Sequence, residues 1–168
     1  MMYLNYMAKI DFAPAFDVGL SVKWCTSIVR SWDDPIVSSN GGKLYPCSYF
    51  FTYRDAKNII NGTSYRIPTV KEWKELLDNS KRKHCYDMFG AEDGILFTLP
   101  NGRDRHFPFL GTVRNGKILR KREIGEFWCD GITEFGSRIE FDINPAYQFL
   151  NYSADDNDFK CLWLVEDF

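Results

Sequence analysis

The run Tyr65-Arg66-Ile67-Pro68-Thr69-Val70-Lys71-Glu72-Trp73-Lys74-Glu75-Leu76-Leu77 sets an extended segment, a helix start and an amphipathic helix in one fixed order. Pro68 disfavours the helical region at Ile67, so the chain enters extended. Thr69 with Glu72 three positions later forms a capping box. The hydroxyl accepts from the Glu72 amide, while the carboxylate reaches back to the Thr69 amide. Trp73, Leu76 and Leu77 then fall at i, i+3 and i+4, one apolar stripe opposite Lys71, Lys74, Glu75 and Asp78. This run predicts a scaffold and names no reaction.

Working outward, Thr52 opens an earlier helix with Asp55 at the third position and Tyr53, Ala56, Ile59 and Ile60 on one face. Asn61-Gly62 stops it. Towards the N-terminus, residues 17–25 read as a short strand, with Leu20, Val22 and Trp24 alternating with Ser21 and Lys23. Residues 1–15 are an N-terminal arm. Residues 32–46 hold Asp33-Asp34-Pro35 and Ser38-Ser39-Asn40-Gly41-Gly42, turn formers without a period, and read as a long loop.

From Gly94 the period changes to two. Ile95, Phe97 and Leu99 alternate with Leu96 and Thr98, and Pro100-Asn101-Gly102 turns the chain into residues 103–109. Asn115-Gly116 is a second turn signal. The cleanest strand is 137–143, with Ile139, Phe141 and Ile143 inward and Arg138, Glu140 and Asp142 outward. Residues 147–152 and 159–165 are two further strands. The order, helices early and then antiparallel strands, predicts an α+β fold that is loop-rich and mostly antiparallel.

With 168 residues and 45% apolar composition, the chain reads as a single domain over residues 1–168. A net charge of −2 gives no electrostatic reason to expect a nucleic-acid partner. No window approaches the roughly 18 apolar residues that a membrane span needs, so no membrane insertion is expected. The N-terminus has neither a basic segment before an apolar stretch nor a small-residue cleavage site. It reads as lacking a signal peptide, with synthesis in the cytoplasm. The five cysteines are odd in number and contain no CxxC pair, which argues against a zinc ribbon or a full disulfide framework.

Residues 17–24, Tyr65 to Trp73, Phe127-Trp128-Cys129 and Leu162-Trp163-Leu164-Val165-Glu166-Asp167, in that order, resemble the Fibrobacter succinogenes major paralogous domain. That family is related to the formylglycine-generating-enzyme-like branch of the C-type lectin fold and is common in Bacteroidetes and their phages. The likeness runs from Phe16 to Asp167. It implies a C-type lectin-like domain whose N- and C-terminal strands pair, with two helices on one side and ligand contact on a loop face and the late strands. The chain departs from the family at Phe127-Trp128-Cys129-Asp130, where Tyr-Trp-Ser-Ser is usual.

The branch includes an oxidase that uses a copper-bound cysteine pair, which directs attention to Cys129 and Cys161. The Gly-, Asn- and Arg-rich surroundings of that enzyme's cysteines are missing, so these thiols read as small core hydrophobes. Asp155, Asp156, Asn157 and Asp158 have the oxygen chemistry of a calcium site but not its spacing. A polar hairpin loop accounts for them, and no cofactor is expected. His84 and His106 lie in different elements with no acid at ligand spacing, and the common catalytic motifs are absent, so no enzyme is expected.

What remains is a recognition surface of Trp128, Asp130, Glu134, Tyr147, Gln148, Asn151, Tyr152 and Asp155, aromatic and adaptable polar groups of the kind binding loops use. Roughly half of such a set is packing, since alternate strand residues face inward. Together with the family resemblance and the lack of a signal peptide, this implies a binding or display module, a virion decoration, fibre or host-surface adhesion protein of a Bacteroidetes phage, with a protein or cell-surface glycan as partner. A structural assembly subunit, such as a homotrimer, is the alternative, and a copper-dependent oxidase comes last.

Overall fold

A computed structural model describes residues 10–31, 49–86 and 93–168. The predicted loop at 32–46, the arm's first nine residues and Cys47 lie outside the described residues.

The described chain is α+β, with two short helices and mostly antiparallel strands. Helix α1 spans Tyr53–Ile60 and begins at Thr52, whose hydroxyl accepts from the Asp55 amide. Helix α2 spans Val70–Asp78, and both arms of the Thr69–Glu72 capping box are present. Glu72 does further work here: its carboxylate also accepts from both terminal nitrogens of Arg66, which in turn reaches Asp167. Trp73 and Leu76 are buried as predicted, and Leu77 packs at the margin of the core.

Strands β1 (Ile10–Asp11), β2 (Ala15–Phe16), β3 (Lys23–Cys25) and β4 (Arg30–Ser31) precede the helices. The predicted arm is thus partly structured, since β1 pairs with β4 and β2 with β3. The strand predicted over 17–25 is regular only at its end. Val18, Leu20, Val22 and Trp24 are buried in alternation as expected, but the Asp17 carboxylate accepts from the Gly19 amide at 2.8 Å. Gly19 adopts φ +82°, which a ladder cannot continue through.

Strand β5 (Phe50–Phe51) leads into α1, and β6 (Tyr65–Arg66) leads into α2. Next come β7 (Lys81–Cys85), β8 (Gly94–Thr98) and β9 (Asp104–Pro108), a three-stranded antiparallel sheet. The hairpin of β10 (Thr112–Arg114) and β11 (Lys117–Leu119) turns at Asn115 and Gly116. Both turn residues have positive φ, as a tight hairpin with matching twist requires.

The late strands are β12 (Gly125–Ile132), β13 (Arg138–Ile143), β14 (Gln148–Ala154), β15 (Lys160–Cys161) and β16 (Val165–Glu166). They serve two sheets: one ordered β14-β13-β12-β15-β5, the other β2-β3-β16-β6. In the second, Val165 pairs with both Trp24 and Arg66, so the chain's last strand lies between two early ones.

The core is aromatic. Trp73 stacks on Phe141 at 4.2 Å between ring centroids and meets Trp24 edge-on at 5.1 Å, while Phe107 stacks on Trp163 at 4.1 Å. Offset and edge-on geometries of this kind add to the large area each ring buries. The core thereby ties α2 to all three larger sheets.

Candidate functional site

Residues directly opposite in a ladder point to the same face. In the five-stranded sheet this sorts the side chains into two sets. Phe127, Cys129, Ile139, Phe141 and Cys161 face the aromatic core around Trp73. The opposite face carries Glu126, Trp128, Glu140, Asp142, Asn151 and Lys160, from the register Glu126 with Asp142, Trp128 with Glu140, Glu140 with Asn151 and Phe127 with Cys161.

This second face is not the solvent face that the alternation of β13 predicts. Glu140 is only 4% exposed, Lys160 1% and Trp128 0%. Trp128 therefore leaves the recognition surface and joins the packing. Its Nε1 donates to the Phe51 carbonyl at 2.7 Å, and Tyr53 of α1 packs edge-on against it at 5.6 Å.

Beside Trp128, Lys160 Nζ lies 2.5 Å from Glu140 Oε2 and 3.2 Å from Glu126 Oε1. Asn151 Nδ2 donates to Glu140 Oε1 at 3.1 Å and to Asp142 Oδ2 at 3.4 Å. Oxygens of Glu126, Glu140 and Asp142 lie within 4.8 Å of one another. One ammonium thus faces three carboxyls. Burial, reinforced by Glu140 and Glu126, pushes Asp142 up to about 8, so one of the three keeps its proton at neutral pH. Burial also raises Glu140 against the pull of Lys160. For Lys160 burial acts downward, but Glu126 and Glu140 outweigh it and the ammonium is favoured. Asn151, expected on the surface, is consumed in holding this cluster.

The other predicted residues separate along the strands. Tyr147 (70% exposed) and Gln148 sit at the β13–β14 turn, where Asn144 Oδ1 accepts from the Tyr147 amide and Gln148 Nε2 donates to the Asn144 carbonyl. Asp130, Glu134 and Asp155 gather at the opposite end of the sheet, with exposed Tyr152 on the strand between. The eight residues therefore form no single face.

At the end with Asp130, the register sets Ile132, Arg138 and Ala154 side by side across three strands. Asp130 accepts from the Tyr53 hydroxyl at 2.5 Å, and Lys57 Nζ stands 4.0 Å away. Burial and then this hydrogen bond push the Tyr53 phenol up, so it remains a donor. Arg138 lies over the Tyr53 ring at 3.8 Å and donates to Asp156. The acidic loop is spent on its own turn: Asp155 accepts from the Asn157 amide and Asp158 from the Asp155 amide. The loop is polar, as expected from the sequence, but it is not the expected hairpin: it carries the chain from β14 past β13 and β12 to β15, which pairs with β12 and β5.

Between this loop and the β12–β13 turn is an open depression of about 460 Å³ lined by Phe135, Ser137, Ser153, Asp155, Asp156 and Asn157. Phe135 at the turn is 88% exposed and Ile132 beside it 59%. Sequence reasoning missed both. The available signal was a large apolar side chain inside a turn, Thr133-Glu134-Phe135-Gly136, where no core can claim it.

Cys129 and Cys161 are fully buried, and burial, then the charges of Asp130 and Glu72, pushes the Cys129 thiol up to about 12. A thiol so held is a poor nucleophile and metal ligand. Among the described residues no helix is long and apolar enough to cross a membrane. Compared with known proteins, the chain matches no family model, no curated protein and no solved structure.

Proposed function

We propose that the protein is a non-enzymatic binding module on a C-type lectin-like scaffold, an attachment or decoration protein of a Bacteroidetes phage that contacts a protein or cell-surface glycan. The observation that carries this reading is the end of the five-stranded sheet, where Phe135 and Ile132 project beside a polar depression and no core residue among the described residues covers them. An exposed aromatic costs little side-chain entropy on binding, and the neighbouring Ser, Asn and Asp groups provide adaptable hydrogen bonds. The pairing of the last strand with early ones, together with two short helices, supports the scaffold.

Fluorescently labelled protein is expected to decorate whole Bacteroidetes cells. The double variant Ile132→Ser, Phe135→Ser is expected to lose that decoration with an unchanged circular dichroism spectrum. Undiminished decoration by the double variant removes this end of the sheet from the proposal.

The alternative, an assembly subunit, is favoured by β14, which ends its sheet and carries no charged residue in Gln148–Ala154, while Phe149 and Tyr152 are exposed. An edge without charge or proline lacks the usual guard against pairing with another chain. Light scattering separates the two readings: a stable oligomer at low concentration favours the subunit, a monomer the binding module.

A further inference from the structure

We propose that Lys160 and Glu140 condense into an intramolecular amide, a covalent brace from β15 to β13 across β12. The two side chains are held for this reaction. Lys160 Nζ is 2.5 Å from a Glu140 oxygen, both residues are almost wholly excluded from solvent, and each is anchored on a paired strand. Fixing amine and carboxyl in contact removes the translational cost that makes condensation slow between free molecules.

The neighbours supply what the reaction requires. Glu126 and Glu140 favour the ammonium, so the amine is freed as a nucleophile only transiently, when Glu126 Oε1, 3.2 Å from Nζ, takes its proton. Asp142, which holds its proton at neutral pH, can protonate the Glu140 carboxylate and make its carbon electrophilic. Asn151 Nδ2, bonded to Glu140 Oε1, stabilises negative charge as the tetrahedral centre forms.

The steps balance without an oxidant, reductant or co-reactant. Nζ attacks Cδ of Glu140, then loses a second proton to the Asp142 carboxylate. Protonated Glu126 gives its proton to the departing hydroxyl. One C–N bond forms, one C–O bond breaks and one water leaves, with Glu126 again charged and Asp142 again neutral. Closing the pair in this way eliminates a buried ammonium and a buried carboxylate, both of which carry desolvation penalties.

Denaturing mass spectrometry of the intact chain tests this directly. The wild type is expected about 18 Da below its sequence mass, with the Glu140 and Lys160 peptides joined after proteolysis. Lys160→Arg and Glu140→Ala should show their full sequence masses. In Glu140→Gln the amine displaces ammonia, so that variant should fall about 17 Da below its own sequence mass and yield the same joined peptide. Should the arginine or alanine variant fail to fold, the wild-type peptide map decides alone. Full mass and separate peptides from folded wild-type protein overturn the proposal and leave the pair as an ion pair.

Discussion

Asp142 shows how a single residue's chemistry is set by the strand beside it. Its carboxyl faces Glu126 across one ladder and shares Asn151 with Glu140. With its pKa pushed up to about 8 from 3.8, the folded chain holds a proton that the unfolded chain releases. The sign follows: this group's contribution to stability is greatest below the unfolded value, declines as pH rises towards about 8 and is constant above it. Asp142→Asn keeps the shape and has no charge to form. In a Lys160→Arg background, where neither chain can close the amide, the variant should therefore be more stable than the chain that keeps Asp142 at about pH 9, with the difference shrinking towards about pH 4. Urea midpoints at the two pH values measure it. An equal shift at both would mean that Asp142 ionises as freely in the folded chain as in the unfolded one.

At the scale of elements, helix α2 was readable because its determinants are local. Thr69, Glu72, Trp73 and Leu76 act within three turns, and a cap and a stripe need no knowledge of the rest of the chain. Its contribution to the core is concentrated in Trp73, which contacts the rings of Trp24, Phe107, Phe127 and Phe141. Trp73→Ala should cost about 3–5 kcal/mol, lowering the thermal midpoint by about 10 °C, because so many rings cannot close over one cavity. A thermal melt followed by circular dichroism reads it, and a change of only a degree or two would mean that the core repacks. The Asn115-Gly116 hairpin was readable for the same local reason. Strand β13 was readable in its period but not in its environment. Alternation separates two faces without saying whether the polar one is wet, and Lys160, twenty residues after Glu140, closes that face over a distance no window spans. Trp128 was misplaced by the same ambiguity, and the exposed end at Phe135 was not legible because it lies in the turn between β12 and β13, where no strand or helix period assigns a side chain to core or solvent.

The whole molecule is held by pairings between distant parts of the sequence. Strand β16 is only two residues long, yet it is an interior strand, bonded through Val165 and Glu166 to β3 on one side and β6 on the other. Around it the Cys25 amide donates to the Leu164 carbonyl, Trp163 Nε1 donates to the Cys25 carbonyl, and Lys23 pairs with Glu166 at 2.7 Å. Removing residues 165–168 would orphan the backbone groups of both flanking strands and expose the ring of Trp24, so far more is lost than four residues of contact. That truncation should abolish the cooperative thermal transition. Deleting Phe168 alone, 71% exposed and outside the ladder, should leave the midpoint unchanged. Melting curves of the two truncations decide it: if the longer deletion still unfolds cooperatively near the wild-type midpoint, the terminal strand is an accessory and the four-stranded sheet is held by its earlier members.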